Sequence, residues 1–303
     1  MFQHIIDGIT QGSIYILIAL GYTMVYGILG MINFAHGEVY MMGAYLGIIT
    51  LGVLTATGAT LISLPLCILV AFLIAMLFCA CYGYTIERTA YRPLRQAHIL
   101  APLISAIGMS TFLQNYIMLA QGKDKLDFPS RFREIFIQKA INIFGVNLNY
   151  LELFIILISL LMMVGLHIFI KYTKMGKAMR ATSQDKKMAG LVGININYVI
   201  SITFIIGSAL ASVGGVMISM YVGATKFDDG YLMGIKAFTA AVLGGIGNIY
   251  GTVLGGFILG LAESFGIWLI SSDYKDAYSF IILLLILIVR PTGLLGEHVS
   301  EGA

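Results

Sequence analysis

The sequence predicts an all-α, polytopic integral membrane protein with roughly eight or nine transmembrane helices. Of its 303 residues, 59% are hydrophobic and only 11% are charged, and the mean hydropathy is +0.91. The apolar runs are hydrophobic on all sides, whereas strands of a lipid-facing barrel would alternate apolar and polar residues. The 35 glycines fit closely packed membrane helices. Residues 1–303 are therefore predicted to form a single transmembrane domain.

The first half of the chain divides into apolar runs of membrane-spanning length. Before residue 55 the long apolar stretch is interrupted only near His36 and Glu38, and its length allows two crossings of about 20 residues each. A later polar stretch with five basic and three acidic residues is predicted to be a large external loop. The predicted segments are two spans within 8–54 with a turn at 31–38, spans at 61–82 and 99–120, and the external loop at 121–149.

The second half contains four more apolar segments. Six glycines between 244 and 256 make a single straight helix there improbable, so this region is predicted to be two spans or one broken helix with its hinge at 247–251. The last span is stopped by Arg290 and Pro291. The predicted spans are 153–170, 199–221, the broken segment within 234–270, and 278–289.

Two positively charged loops predict the orientation. Residues 171–198 contain six of the chain's 18 basic residues against one acid, and residues 86–98 contain three arginines against one glutamate. Cationic residues beside membrane spans resist translocation, so both loops are predicted to be cytoplasmic. The N-terminus is then periplasmic and the C-terminus cytoplasmic.

The basic loop at 171–198 also predicts a short amphipathic helix. Thr182 or Ser183 can cap it, Asp185 suits its first turn, and Gly193 can end it. Its apolar residues fall at i, i+3 and i+4 and form one stripe, made of Met188, Leu191 and Val192. The helix is either a docking element for a cytoplasmic partner or part of a basic connector on anionic lipid.

Placing a polar side chain at membrane depth costs free energy, so each such residue is a candidate for a structural or functional role. Glu263 is predicted to face the bundle interior and to bond to a neighbouring helix, with a pathway role as the alternative. Asn33, His36 and Glu38 cluster at the first turn, where Asn33 could cap the second helix and aim its N-terminus at a substrate. The alternative there is a simple capped hairpin.

A small-residue face runs along the sixth span, where Gly207, Ala211, Gly215 and Ser219 repeat at every fourth position. This spacing predicts a helix-packing face. Together with the glycines at 244–256, it offers surfaces that one chain need not satisfy alone, so the chain is expected to be stable only in a complex.

Motifs for chemistry are missing from the sequence. No Ser-His-Asp, HExxH or CxxC arrangement and no phosphate-binding GxxxxGK[ST] loop is present. The prediction is a transporter membrane subunit with no cofactor, no catalytic or metal site and no nucleic-acid partner. Because no chain of acidic residues and histidines crosses several spans, any pumping must be driven by other subunits.

Five motifs in order resemble the H-type permease subunits of bacterial Liv systems, the high-affinity ABC importers of branched-chain amino acids. The resemblance covers about residues 8–296. The motifs are GYTMVYGILGMINFAHGEVYMMGAY (21–45), IERTAYRPLR (86–95), ISAIGMSTFLQNY (104–116), KMAGLVGIN (187–195) and KAFTAAVLGGIGNIYG (236–251).

The resemblance implies the fold of an ABC-importer permease in a bacterial inner membrane. It implies four partners besides lipid: an M-type permease, two ABC ATPase subunits and a periplasmic amino-acid-binding protein. Ala189 and Gly193 match the centre of the loop through which such permeases dock a coupling helix on the ATPase. Lys187 and Met188 stand where that loop has Glu and Ala, and no Ile-x-Leu-Pro follows. The implied coupling residues are Lys187, Met188, Ala189, Leu191, Val192 and Gly193.

Two other functions remain open at this point. A urea or amide permease has a similar NxAHGE turn, and an ion-coupled carrier or channel could have the same hydropathy. The first would differ in its solute, and the second would work without ATPases.

Overall fold

The computed structural model describes residues 1–59, 63–95, 97–98, 100–137, 140–143 and 146–296. Within these residues the chain forms twelve α-helices, of which all but the short α5, α7 and α8 follow the apolar runs of the sequence. They are α1 (Phe2–Leu29), α2 (His36–Ala56), α3 (Leu64–Ile86), α4 (Leu100–Gln121), α5 (Ser130–Ile137), α6 (Tyr150–Tyr172), α7 (Lys174–Gln184), α8 (Lys186–Leu191), α9 (Ile196–Val222), α10 (Asp229–Gly244), α11 (Ile249–Leu269) and α12 (Lys275–Val289). A π-helical turn (Glu87–Tyr91) and a 3₁₀ turn (Arg92–Leu94) continue α3.

Seven helical segments in the described part of the chain are long and apolar enough to cross a membrane. These segments are α1, α2, α3 with its continuation to Leu94, α4, α6, α9 and α11. With only 16 residues in α10 and 15 in α12, these two helices are shorter than a full crossing requires. The structure thus supports the predicted polytopic helical class with seven candidate membrane helices in the described residues, and the predicted count of eight or nine is not confirmed.

Four short strands in the described part of the chain qualify the predicted all-α class. They are β1 (Leu126–Asp127), β2 (Ala140–Ile143), β3 (Val146–Asn149) and β4 (Ala224–Thr225), in two antiparallel pairs. β1 pairs with β4, with Leu126 opposite Thr225. This pairing joins the polar stretch at 121–149 to the C-terminal end of α9.

The two basic loops lie together at the opposite end of the bundle. Arg95 donates to Oδ1 of Asn197 near the start of α9 (2.7 Å), and Lys186 donates to the carbonyl of Leu29 at the end of α1 (3.0 Å). We call this end, which carries residues 86–95 and 173–195, the basic end of the bundle.

α9 lies at the centre of the core and packs against α1, α2 and α3. The small-residue face predicted for it is fully buried within this chain. A Cβ atom at Gly207 would lie 3.3 Å from Cα of Gly21 in α1, and one at Gly83 in α3 would lie 2.7 Å from Cβ of Ser208. α1 and α2 thus cover this face within the chain, as its helix-packing spacing predicted, and the expectation that the chain is stable only in a complex stays a prediction.

A substitution at Gly43 in α2 tests this close packing. A Cβ atom there would lie 2.7 Å from Cβ of Ser212 in α9. Gly43→Val is expected to push α2 away from α9 and to destabilise the fold by about 1–3 kcal/mol, the usual cost of overpacking. Thermal unfolding of the purified protein in detergent measures the effect. Gly52→Val on the same helix is the control, because nothing lies within 4 Å of a Cβ there; equal losses in both variants would contradict the packing argument.

α10 and α11 form the predicted broken segment, with the break at 245–248. Gly245 and Gly247 have positive φ angles of 105° and 96°, which glycine adopts without steric cost. Oδ1 of Asn248 accepts the Gly251 N–H and caps α11 (3.0 Å). The carbonyls of Leu243 and Gly244 at the end of α10 accept the N–H groups of 294 and 295 (both 2.9 Å). The segment after α12 thus satisfies a helix end that would otherwise have open carbonyls.

Candidate functional site

The predicted amphipathic helix is α8, and its N-terminal cap is Asp185. One carboxylate oxygen accepts the N–H groups of Lys187 (2.8 Å) and Met188 (3.0 Å). The prediction that Thr182 or Ser183 caps this helix is wrong. Both lie inside α7, which continues to Gln184 and has its own cap in Thr173.

α8 ends in a Schellman motif at Gly193. The Gly193 N–H bonds to the carbonyl of Gly190 (3.1 Å), and the Ile194 N–H bonds to that of Ala189 (3.0 Å). Gly193 has a φ of +87°, the left-handed conformation that the motif requires. The residue predicted as the terminator of this helix therefore does end it.

Gly193→Ala is expected to loosen α8 by about 1 kcal/mol, because an alanine is strained at this φ. Hydrogen exchange of the backbone amides in 186–195 should become about fivefold faster. Gly190→Ala is the matched control: it lies inside the helix, where alanine is favoured over glycine, and it should slow exchange. Slower exchange in both variants would contradict the role of Gly193 as terminator.

The predicted apolar stripe is exposed on the outer face of α8. The exposed fractions of Met188, Leu191 and Val192 are 61%, 81% and 76%. Ala189 faces the other way and is 3% exposed. A single-turn apolar surface of this kind at the basic end of the bundle is available to a partner.

Lys186 fixes the inner side of α8 to the membrane bundle. Its Nζ donates to the carbonyl of Leu29, the last residue of α1 (3.0 Å). Partial burial lowers the pKa of Lys186, and the nearby positive charge of Arg95 lowers it further. A cation at the end of a helix complements both its open carbonyls and its dipole.

Asn33 lies in the turn between α1 and α2 and stabilises it. Its Oδ1 accepts the Ala35 N–H (3.1 Å) and the hydroxyl of Tyr91 (2.8 Å). α2 begins at His36 after Ala35, without a side-chain cap. The prediction that Asn33 caps this helix is therefore wrong; it shapes the turn just before it.

His36 and Glu38 lie in the first turn of α2 and are both buried. His36 Nε2 lies 3.1 Å from the Ile18 carbonyl in α1. Oε1 of Glu38 accepts the hydroxyl of Ser110 in α4 (3.1 Å). A carboxylate in the first helical turn complements the helix dipole. These two side chains connect the start of α2 to α1 and α4.

Glu263 is buried in α11, as predicted, and belongs to a cluster of charges that the sequence did not reveal. The hydroxyl of Tyr15 donates to its Oε2 (2.6 Å), and Lys236 of α10 forms an ion pair with its Oε1. Lys236 also pairs with Asp276 of α12 (2.7 Å). One lysine thus joins three neighbouring helices. The signal in the sequence was a lone lysine in the apolar run of α10.

A second buried ion pair lies at the basic end. Glu87 is fully buried and pairs with Arg95. Its other oxygen accepts the hydroxyl of Ser201 in α9 (2.7 Å). This pair fixes the turns after α3 to the start of α9. From the sequence both residues were interpreted as loop charges, and no pattern in it indicated that they form an ion pair.

The seven helices of membrane-spanning length in the described residues, with ion pairs buried inside the bundle, define a polytopic membrane protein. Residues 4–289 match the model of the family described as branched-chain amino acid transport system / permease component. The chain belongs to this family, which confirms the resemblance drawn from its motifs. It is therefore a membrane permease and not an enzyme.

Similar proteins match over nearly the full length. A high-affinity branched-chain amino acid transport system permease protein of Pseudomonas aeruginosa is 49% identical, over 99% of this chain and 97% of that protein. Its counterpart in Escherichia coli is 47% identical over 99% and 96%. A probable branched-chain amino acid transport permease of Methanocaldococcus jannaschii is 26% identical over 96% and 92%. No solved structure matches the chain significantly.

Proposed function

We propose that the chain is the permease subunit of an ATP-driven importer for leucine, isoleucine and valine. The observation that carries this proposal is the near-complete match to permeases named for branched-chain amino acids. Such an importer needs a cytoplasmic surface that binds its ATPase, and the exposed stripe on α8 offers one. The chain forms one half of the pathway.

Four partners complete this importer. A second permease of the M type supplies the other half of the pathway, and two ABC ATPases supply the energy. A periplasmic binding protein delivers the amino acid. The ATPase meets the coupling residues Lys187, Met188, Ala189, Leu191, Val192 and Gly193, of which the three exposed apolar side chains form the contact.

The membrane arrangement follows from the charges. The basic end of the bundle is cytoplasmic, and the paired strands β1 and β4 lie on the periplasmic side of a bacterial inner membrane. The N-terminus is periplasmic and the C-terminus cytoplasmic. α10 and α12 add to the seven long helices, the first as a partial crossing, which gives eight or nine membrane helices.

Asn33, His36, Glu38 and Glu263 control the pathway through their positions between helices. The first three set the start of α2 against its neighbours. Glu263 ties α1, α10 and α11 together. Their hydrogen bonds within the chain support roles in gating and assembly over direct binding of the solute.

The test is transport by the complete complex in lipid vesicles. Labelled leucine should accumulate only when ATP is inside with the ATPases and binding protein is outside. Uptake that follows an ion gradient without ATP would instead establish a secondary carrier. Uptake of urea or an amide in preference to leucine would keep the ATP-driven mechanism and replace the solute.

A further inference from the structure

The turn between α1 and α2 (residues 30–35) is held by two side chains from the basic end. Lys186 of α8 donates to the Leu29 carbonyl directly before the turn (3.0 Å). Tyr91 donates to Oδ1 of Asn33 within it (2.8 Å). These contacts join segments more than 50 residues apart in sequence, 157 for the first and 58 for the second.

The two side chains have different supports. Lys186 is the first residue of α8, the short helix whose outer face carries the exposed apolar stripe. Tyr91 is fully buried, and its ring packs against that of Phe204 in α9, with the centroids 5.3 Å apart. The Glu87–Arg95 ion pair fixes the same π-helical segment to α9. Tyr91 is therefore the fixed support, and Lys186 is on the element that a partner would move.

A displacement of this turn reaches the membrane interior directly. His36 and Gly37 follow it and begin α2 against α1 and α10. A Cβ at Gly37 would lie 2.7 Å from Cα of Gly234 in α10, so the helices are in backbone contact there. Close-packed interfaces shift between discrete arrangements and do not absorb small movements. A shift of the turn must therefore reposition the start of α2.

We propose that Lys186 and Tyr91 are positioning residues for transport, which together link the docked α8 to the start of α2. Lys186 transmits the movement of α8 to the end of α1, and Tyr91 sets the fixed point about which the turn moves. The proposal rests on the proposed function, because the movement of α8 requires an attached ATPase. It assigns Lys186 a role inward, toward the bundle, and not in the contact with the ATPase.

The experiment compares Lys186→Met with Lys177→Met in the complete complex. Methionine keeps most of the lysine stem but cannot donate to the Leu29 carbonyl. Lys177 in α7 is the control, because it is an exposed lysine at the same end of the bundle and is not one of the coupling residues. Three quantities are measured: ATPase co-purified per permease, ATP hydrolysed, and labelled leucine imported. Lys186→Met should retain the ATPase but import at least about fivefold less leucine per ATP, the lower range of coupling energies between sites.

Two further variants separate coupling from a structural role. Lys186→Arg restores a cationic donor and should recover most of the leucine imported per ATP. Tyr91→Phe removes only the hydroxyl and should also reduce that ratio, with the thermal midpoint of the complex unchanged. Tyr84→Phe is its control, since the Tyr84 hydroxyl contacts the exposed Arg88.

Either of two results would overturn the proposal. A ratio of leucine imported per ATP in Lys186→Met equal to that in Lys177→Met would show that the bond to Leu29 transmits nothing. Loss of the ATPase from Lys186→Met alone would place Lys186 in the docking contact. Uptake by the unaltered complex without ATP would instead reject the proposed function itself, which is a separate outcome visible before any variant is made.

Discussion

Lys236→Met should reduce the amount of folded permease in the membrane more than Glu263→Gln does. The reason is an asymmetry in the buried cluster. The ammonium of Lys236 has two carboxylate partners, Glu263 and Asp276, whereas the Glu263 carboxylate has one cation. Removing the lysine leaves a buried charge uncompensated, which costs about 3–5 kcal/mol. Glu263→Gln leaves Lys236 paired with Asp276 and keeps an acceptor for the Tyr15 hydroxyl.

The double variant Lys236→Met, Glu263→Gln tests this explanation. It contains no unpaired charge between α10 and α11, so it should recover much of the folded protein lost in Lys236→Met. Folded protein is measured as the fluorescence-monitored monodisperse fraction after solubilisation. Asp276→Asn is the mild control, since Asp276 is 36% exposed at the start of α12. A double variant as poor as Lys236→Met would mean that the lysine acts through something other than its charge.

The membrane helices could be predicted from the sequence because they depend on a one-dimensional signal. The runs that became α4, α6 and α9 were located to within a few residues, since hydrophobic length alone defines a crossing. α10 could not be resolved in the same way. It has only 16 residues, and its end at Gly244 is stabilised by hydrogen bonds from residues 294 and 295, each 51 positions beyond its partner. Such a contact has no periodicity along the chain.

The buried charges show a different limit. Glu263 could be singled out because it stands alone in an apolar run. Its partner Lys236 stands at the same kind of position in α10, but pairing depends on which faces of the two helices meet. Glu87 and Arg95 were interpreted as loop charges, but α3 continues through Glu87 as a π-helical turn and then as a 3₁₀ turn that ends just before Arg95. A hydropathy pattern does not distinguish such an extension from a loop.

A helix end was predicted correctly from the sequence only where a single residue type can form it. Gly193 ends α8 because its positive φ is open to glycine. The start of α8 offered several capping residues in succession, and Asp185 was preferred in the fold because α7 extends through Thr182 and Ser183. Asn33 has the right chemistry for a cap, but its carboxamide oxygen is used by Ala35 and Tyr91 in the turn.

Leu191→Glu should detach the ATPase from an otherwise normally folded permease. Leu191 is the most exposed residue of the stripe, and none of the residues that the structure describes covers it. If it is buried by the ATPase, its loss removes about 1.5–3 kcal/mol of apolar contact, and a glutamate there must also be desolvated. The affinity should fall by at least tenfold, roughly the effect of 1.4 kcal/mol. The amount of ATPase that co-purifies at matched permease levels measures this.

The comparison variant is Lys186→Gln, Lys187→Gln, which removes two positive charges and leaves the stripe intact. Attraction of a basic connector to anionic lipid contributes about 1 kcal/mol for each lysine, so a lipid contact would be weakened more by the double glutamine variant than by Leu191→Glu. Docking through the stripe gives the opposite order, with the ATPase lost from Leu191→Glu and retained by the glutamine variant. Full retention and normal leucine uptake in Leu191→Glu would show that α8 is only a connector, and the ATPase would then have to meet the permease elsewhere at its basic end.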